Sequence, residues 1–529
     1  MTRSLYKKVG IATAIMTGSI FLSRIFGYIR LMVIGAFGGR TADVDAYQVA
    51  FFIPEILNHI VASGFLSITF IPIFSRYLAE NREDEGWKVF SIILTGFGAL
   101  MVLFIVISEI FAPELVALIA RGRPDPQFRE NITVMTRIIL PAQFFFFAGG
   151  MFMAVQMAKE RFFIPALAPL IYNIGIISGG ILLRDRLGMQ GFSWGVLCGA
   201  LAGNFGLQWW GARNAGMHFS VRFNLSHPEL KKYIKLTLPL MVGLTMFFSM
   251  EIFTKFFGAY LPPGSIADLE YGLRTMLLLV AFFGQAVGVA SYPFMARLLV
   301  ENKLQEMNRL LNNTLKYLAL VIPFSVLMMV LRHEVILILL QRGNFDAAAT
   351  GHAAEVLFFY LIGAFAIAAN MIVPRAYYAM QDTLFPAIYG TVAVILSIPL
   401  YALGLKMMGA GGVALAVSLS AILQVSVLYV LWNKRSHNAG GRDVYWFYLK
   451  IMALSAVIGF GLIWFRQALL ERIDVQTFTG SLLTIFLTGV LFIFVLLIAA
   501  FGLRIKEIKD LMIKILSKTK GTNSHGKME

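Results

Sequence analysis

Apolar runs long enough to cross about 30 Å of hydrocarbon recur about fourteen times along the 529-residue chain. They cover residues 10–37, 45–72, 88–110, 132–157, 163–183, 190–211, 232–258, 270–296, 312–331, 352–379, 385–405, 411–433, 446–466 and 479–503. Polar residues gather between the runs rather than alternating within them, so the pattern predicts membrane-spanning helices and no strands. Pro54, Pro239 and Pro323 fall inside runs and should kink their helices. The first run follows Arg3, Lys7 and Lys8 but lacks a small-residue cleavage site, so it reads as a permanent span rather than a removable signal peptide.

Alternating the loops across a membrane puts roughly 29 Lys and Arg on the side of the N-terminus and about 11 on the other. Both termini, the connection around 213–235 and the loop 434–450 are therefore expected on the cytoplasmic side. The composition agrees with a membrane protein, with 58% hydrophobic and only 14% charged residues. The net charge of +16 then reflects topology and attraction to anionic lipid, and nucleic acid is not an expected partner. In the tail, Ile505, Ile508, Leu511, Met512, Ile515 and Leu516 form an apolar face bordered by Lys506, Lys509, Lys514 and Lys518, as a helix lying on the inner leaflet would.

The chain also repeats itself at one offset. Pro72, Arg76, Glu80 and Asn81 match Pro293, Arg297, Glu301 and Asn302; Arg121-Gly122 matches Arg342-Gly343; and Pro165-Ala166 matches Pro386-Ala387. Each pair is separated by 221 residues (72 to 293, 121 to 342, 165 to 386), a spacing of about six spans. An even number of spans makes the two units parallel, related by an axis along the membrane normal. The expected fold is thus all-α and integral to the membrane, with about fourteen transmembrane helices in two parallel six-helix lobes plus two C-terminal helices. The expected divisions are a first lobe at 1–222, an interfacial linker helix at 223–236, a second lobe at 237–438, two additional helices at 439–503 and a basic tail at 504–529. Ser226-His227-Pro228-Glu229 reads as a capping box that starts the linker helix.

Charges inside the spans are the candidate chemistry, because each costs several kcal/mol unless it meets water or a counter-charge. Arg24 and Arg30 stand in the first span, about 120° apart around the helix, and Arg274 stands in the eighth. Guanidinium forks hold phosphate oxygens bidentately, so the three arginines suit an anionic substrate such as a pyrophosphate. Their alternative is to lock helices through carboxylates such as Glu55 or Glu251. Glu251 and Lys255 are four residues apart and form an expected intrahelical pair, with Lys255 alternatively snorkelling to the outer surface. Glu55 and His59 share a face of the second span, and this set also offers candidates for coupling. Asp45, near the start of that span, suits the helix dipole and is a gating candidate; Asp43-Val44-Asp45 is too short a pattern to argue for a metal. The single cysteine, Cys198, excludes a disulfide framework, and no metal or cofactor site is expected.

Ser23-Arg24-Ile25-Phe26-Gly27-Tyr28-Ile29-Arg30, Asp45-Ala46-Tyr47, Ile53-Pro54, the stretch from Gly64-Phe65 to Phe70-Ile71-Pro72, Arg274, Gln341-Arg342-Gly343-Asn344-Phe345 and Tyr377-Tyr378-Ala379-Met380-Gln381-Asp382 together carry a family pattern. With the fourteen-span layout, the chain resembles the MurJ/MviN family, the lipid II flippases of bacterial peptidoglycan synthesis. The resemblance implies alternating access in the bacterial cytoplasmic (inner) membrane, moving undecaprenyl-pyrophosphate-linked disaccharide-pentapeptide outward. It matches Arg24, Arg30 and Arg274 to cavity arginines and Asp45 to an acidic residue near the start of the second helix. It also implies a lipid-facing groove between the two extra helices, and makes membrane lipids and the cell-wall synthesis machinery expected partners. The chain departs from the family where charges are usual, with Leu31, Asn58, Ser63 and Leu273 in their places.

No phosphate-binding loop suggests ATP, so coupling to the membrane potential or to a monovalent cation is the expected drive. The alternative reading is a flippase for another polyprenyl-pyrophosphate-linked glycan, which the missing charges favour. A membrane glycosyltransferase would need interfacial carboxylates and an extramembrane domain that the sequence lacks, and a non-transporting scaffold is the remaining class.

Overall fold

The structure is a computed structural model. It describes the backbone of residues 2–59, 65–224 and 226–502, and the side chains of the same residues except 2–14, 65–69, 236–249, 285–290, 293 and 500–502. The amphipathic tail face and Ser63 lie outside the described residues.

All regular structure among the described residues is helical. Among the described residues, eight helices are long and apolar enough to cross a membrane, and the pair Ala347–Ile362 and Ala364–Ala379, bent by 53°, would make a ninth. Each of the predicted apolar runs coincides with helix over its described part, but many are broken into shorter pieces. Prolines set several of the breaks. A proline ring displaces the carbonyl four residues earlier. Accordingly, Ala42–Ala50 ends at the residue four before Pro54, Leu304–Leu318 ends one residue short of the position four before Pro323, and Ala364–Asn370 ends four before Pro374.

Two predicted spans, 385–405 and 411–433, follow one another directly within Leu384–Arg435. They are nevertheless separate helices. Gly409 between them has φ 57° and ψ −129°, a conformation open only to glycine at low cost. A Cβ on Gly404 would lie 2.4 Å from the Gly412 carbonyl oxygen. Residues eight apart on a straight helix are about 12 Å apart, so the chain doubles back at Gly409.

The same hairpin occurs earlier. Phe163–Leu187 ends at Gly188, with φ 51° and ψ −128°, and its Gly179 packs against Gly195 of Gln190–Gly199. Gly188 and Gly409 are 221 residues apart. Three other pairs of left-handed residues share that spacing: Asn81 with Asn302, Glu160 with Gln381, and Gly216 with His437. Helix bounds repeat as well, Phe65–Ala79 being followed 221 residues later by Ala286–Val300. The sequence repeat is therefore also a repeat of local backbone geometry.

The Ser226 capping box differs in detail. His227, not Ser226, caps the helix, its Nδ1 accepting from the Glu229 N–H at 3.3 Å, and Glu229 reaches to Arg76 at 2.6 Å instead of back to the cap. Pro228 fixes the cap one residue later than the box pattern expects, and the guanidinium is a stronger partner for the carboxylate than a neutral N–H. The helix then runs unbroken over Pro228–Gly258, so the linker helix and the seventh span are one element.

The chain forms two compact units. One comprises Met1–Tyr271 with Arg342–Ala349; the other comprises Gly272–Gln341 with Thr350–Glu529. The first is packed around aromatic contacts, with Trp87 between Phe74 at 4.7 Å and Phe90 at 5.7 Å and Phe152 between Phe90 and Trp209. In the second, Leu320 and Val330 pack with Ile458, Leu462, Phe492 and Leu496, fastening the helices Gly441–Leu470 and Phe478–Gly502 to the second repeat.

Candidate gating and substrate site

The charged residues of the first unit gather in two places. Within the spans, Lys255 donates to Glu55 Oε2 at 2.5 Å across 200 residues of sequence. Glu251, one turn earlier, and Glu270 on the next helix also act on this ammonium. His59 lies between the fields of Glu251 and Lys255. Lys255 is only 5% exposed, so it is held inward by carboxylates rather than snorkelling. The strongest contact is thus between helices, where sequence spacing suggested the pairs Glu251–Lys255 and Glu55–His59. A buried ammonium needs this company, because removing either partner of such a pair leaves an uncompensated charge.

Arg30 adjoins the same region. Its guanidinium interacts with the phenols of Tyr47 and Tyr172, Tyr47 being also within the field of Glu270 and Tyr172 within that of Glu55. Among the described residues no carboxylate stands within ion-pair distance of Arg30 or of Arg24, which is exposed lower on the same helix. Arg274 belongs to the second unit, on the helix Ser265–Val280. Leu31 and Leu273 are buried apolar residues, and Asn58 donates to Gln143 Oε1 at 3.0 Å. Three of the four places where the resemblance implies charge, 31, 58 and 273, are therefore filled by packing and an amide pair.

The second gathering, a candidate latch, lies at the far end of the first helix. Asp45 is fully buried and accepts three hydrogen bonds, from Arg123 at 3.0 Å, the Gly264 N–H at 2.7 Å and the Ala267 N–H at 2.8 Å. Arg123 also donates to the Leu261 carbonyl at 2.7 Å and lies over the Phe128 ring. Alongside, Arg40 pairs with Asp268 at 2.6 Å and the Tyr271 hydroxyl donates to the Gly39 carbonyl at 3.1 Å.

The two Arg-Gly loops of the repeat work crosswise here. Arg342-Gly343-Asn344 docks on the end of Thr2–Gly38, with the Asn344 N–H on the Ala36 carbonyl at 2.8 Å and its side-chain amide on the Phe37 carbonyl at 2.6 Å. Arg121-Gly122-Arg123 docks in the same way beyond the end of Pro228–Gly258, Gly122 lying against Tyr260. The approach is too close for side chains: a Cβ on Gly343 would fall 2.4 Å from the Ala36 oxygen, and one on Gly39 equally near the Asn344 oxygen. Arg123 was not singled out in the sequence, although its position beside a repeated Arg-Gly pair was a usable signal. Glu270 was also missed, although it stands four residues before Arg274 on one helix, the same spacing as Glu251 and Lys255.

Asp43, by contrast, is satisfied by Asn131 at 3.0 Å, and no group of three or more metal-ligating side chains occurs among the described residues. The arrangement suits movement of an anion past cations behind a hydrogen-bonded closure.

Comparisons with known proteins agree with this chemistry. A family model described as "Lipid II flippase MurJ" matches residues 35–499. Among curated relatives, a probable lipid II flippase MurJ of Thermotoga maritima is 25% identical over 93% of this chain and 96% of its own. A second, from Rhizobium tropici, is 27% identical over 79% of this chain and 80% of its own. Among solved structures, a lipid II flippase MurJ in an inward closed conformation superposes with a TM-score of 0.75 at 22% identity, covering 92% of this chain and 98% of the other. An inward-facing multidrug resistance transporter of the MATE family follows at a TM-score of 0.66 and 12% identity, covering 78% and 94%. This chain is a member of the MurJ family of integral membrane transporters.

Proposed function

We propose that this protein is a flippase that carries lipid II from the inner to the outer leaflet of the bacterial cytoplasmic membrane by alternating access. The observation that carries the reading, beside family membership, is Arg30. It is a partly buried guanidinium within electrostatic reach of the phenols of Tyr47 and Tyr172 and without an ion-paired carboxylate among the described residues, an arrangement that leaves its fork for a pyrophosphate. Arg24 on the same helix, and Arg274 in the second unit, are the other residues proposed to bind cargo. Asp45 and the crossed Arg-Gly loops close the outer end, so cargo is taken up from the cytoplasmic side and released when the latch parts. The Lys255 cluster, with Glu55, His59, Glu251 and Glu270, is the place where a proton or monovalent cation would enter or leave as the charges rearrange.

The parts follow the repeat: two parallel six-helix lobes, divided near residue 223, open in turn to the cytoplasm and outward, and both termini are cytoplasmic. The helices after residue 439 form the groove for the polyprenyl tail, and the basic end of the chain rests on the inner leaflet. The cell-wall synthesis machinery is the proposed supplier and receiver of cargo.

The test is complementation of a bacterium depleted of its own lipid II flippase, with Arg274→Ala as the paired control at equal membrane levels. Rescue by the wild type and not by the variant is expected. Failure of a well-inserted wild type, with growth restored in a strain lacking a surface-polysaccharide flippase, would give the protein the second reading, a carrier of another polyprenyl-linked glycan. The uncharged Leu31, Asn58 and Leu273 are what favour that alternative.

A further inference from the structure

We infer that Arg375, Tyr292 and Tyr378 form a phosphate-ester docking site at the cytoplasmic end of the second unit, where the pyrophosphate of incoming lipid-linked cargo is first held. The inference rests on the flippase reading for the identity of the cargo, and on the second unit alone for the site.

Arg375 lies on the short helix Val373–Ala379, about one turn, or about 6 Å, from its end. That helix packs against Ala286–Val300, which carries Tyr292. The loops that follow the two helices, 301–303 and 380–383, belong to the cytoplasmic side of the charge-derived topology. The Arg375 guanidinium is half-buried; Tyr378 stands one turn along the same helix and Tyr292 on the helix packed against it, both within its electrostatic reach, and among the described residues no carboxylate pairs with it. The acid nearest to it in sequence, Asp382, is already engaged by Arg435 at 2.6 Å. Tyr292 is 38% exposed, so the group opens outward instead of being sealed in the core.

The internal repeat supplies a control. The same two helices recur 221 residues earlier, within Ala142–Ala158 and as Phe65–Ala79. There the three positions hold Ala154, Ile71 and Met157. The packing of this helix pair therefore does not require a cation and two phenols. A half-buried guanidinium without a counter-charge costs free energy, and a bound anion removes that cost. Its planar fork takes two phosphate oxygens, while phenolic hydroxyls donate to a third and fourth. The ligand class is a phosphate ester or pyrophosphate on a lipid. Two sources exist in this membrane, the cargo and the headgroup of bulk phospholipid.

The experiment is equilibrium binding to the purified full-length protein in detergent, read by native mass spectrometry, with lipid II and phosphatidylglycerol as separate probes. Wild type is compared with Arg375→Gln, Arg375→Lys and the double variant Tyr292→Phe/Tyr378→Phe. The expected result is a loss of about tenfold in lipid II affinity for Arg375→Gln, partial recovery with Arg375→Lys, and unchanged phosphatidylglycerol binding. The phenol variant keeps the rings, so it reads the site even if the glutamine variant fails to fold; it should weaken lipid II severalfold. Unchanged affinity for both probes in both variants would overturn the site. Equal weakening for both probes would overturn its assignment to cargo and give it to bulk phospholipid. A wild type that binds phosphatidylglycerol through Arg375 but no lipid II would leave the site standing and sink the flippase reading instead.

Discussion

Replacing Asp45 by alanine removes the acceptor from Arg123 and from the Gly264 and Ala267 N–H groups at a place water does not reach. Breaking a buried pair in this way costs about 3–5 kcal/mol, enough to shift a two-state gate strongly toward its open form. The expected outcome is a loss of complementation together with an open latch. In a Cys198→Ser background, a cysteine at the fully buried Ala267 should be sealed from an impermeant maleimide in the wild type and labelled in Asp45→Ala. Equal labelling in both would dismiss the latch. The carboxylate itself was legible in the sequence from its place at the start of a helix, yet its partners were not. Arg123, Gly264 and Ala267 are brought to it from 78, 219 and 222 residues away, and nothing local in the chain announces them. The Lys255–Glu55 contact was hidden for the same reason. Inside a membrane a charge seeks the best counter-charge in space, which outweighs a neighbour one turn along its own helix.

At the scale of elements, the two glycine hairpins carry the clearest prediction. A side chain at Gly188 or Gly409 would sit in a backbone region that costs an L-residue about 1–3 kcal/mol. Gly188→Ala and Gly409→Ala should each lower the thermal midpoint of the detergent-solubilised protein. Their effects should add, since the two turns share no partners. A neutral Gly409→Ala would mean that the chain does not reverse there. Neighbouring turns add a pH-dependent part. Burial works against the Asp382 carboxylate, but the Phe385 N–H at 3.0 Å and Arg435 at 2.6 Å together hold its pKa below the usual aspartate value. A depressed acid contributes stability that is present above the unfolded value and lost as pH falls through the folded one. Stability should therefore decline on acidification below the ordinary aspartate range, and Asp382→Asn should flatten that limb in melts from pH 6 to pH 3. The helices were readable because long apolar runs allow little else, and several of their breaks because proline acts at a fixed distance. The cap at His227 was missed by one residue, since a proline and a distant Arg76 decide between two adjacent starts.

For the whole molecule, the internal repeat means that one piece of backbone is used twice with different chemistry on it. Position 30 is arginine in the first copy and its counterpart, 251, is glutamate; position 154 is alanine and its counterpart, 375, is arginine. The backbone tolerates either, Ala154 being fully buried and Arg375 half-buried, so charge is free to differ where cargo and coupling ions are proposed to be handled. A carrier built in this way, without a nucleotide site, needs an external drive. Lipid II carries about two negative charges, and an inside-negative potential favours their outward movement by about 2.3 kcal/mol per charge per 100 mV. In proteoliposomes, net outward transfer of lipid II should rise steeply with an imposed potassium-diffusion potential and fall to equilibration when valinomycin is added at equal potassium. Neutralising Lys255 with glutamine should leave that voltage dependence in place if the cluster only holds the helices together, and alter its steepness if a cation moves with the cargo. Net export that persists undiminished at zero potential would remove voltage as the drive and leave the Glu55–Glu251–Lys255 cluster, tested with an imposed proton or sodium gradient, as its source.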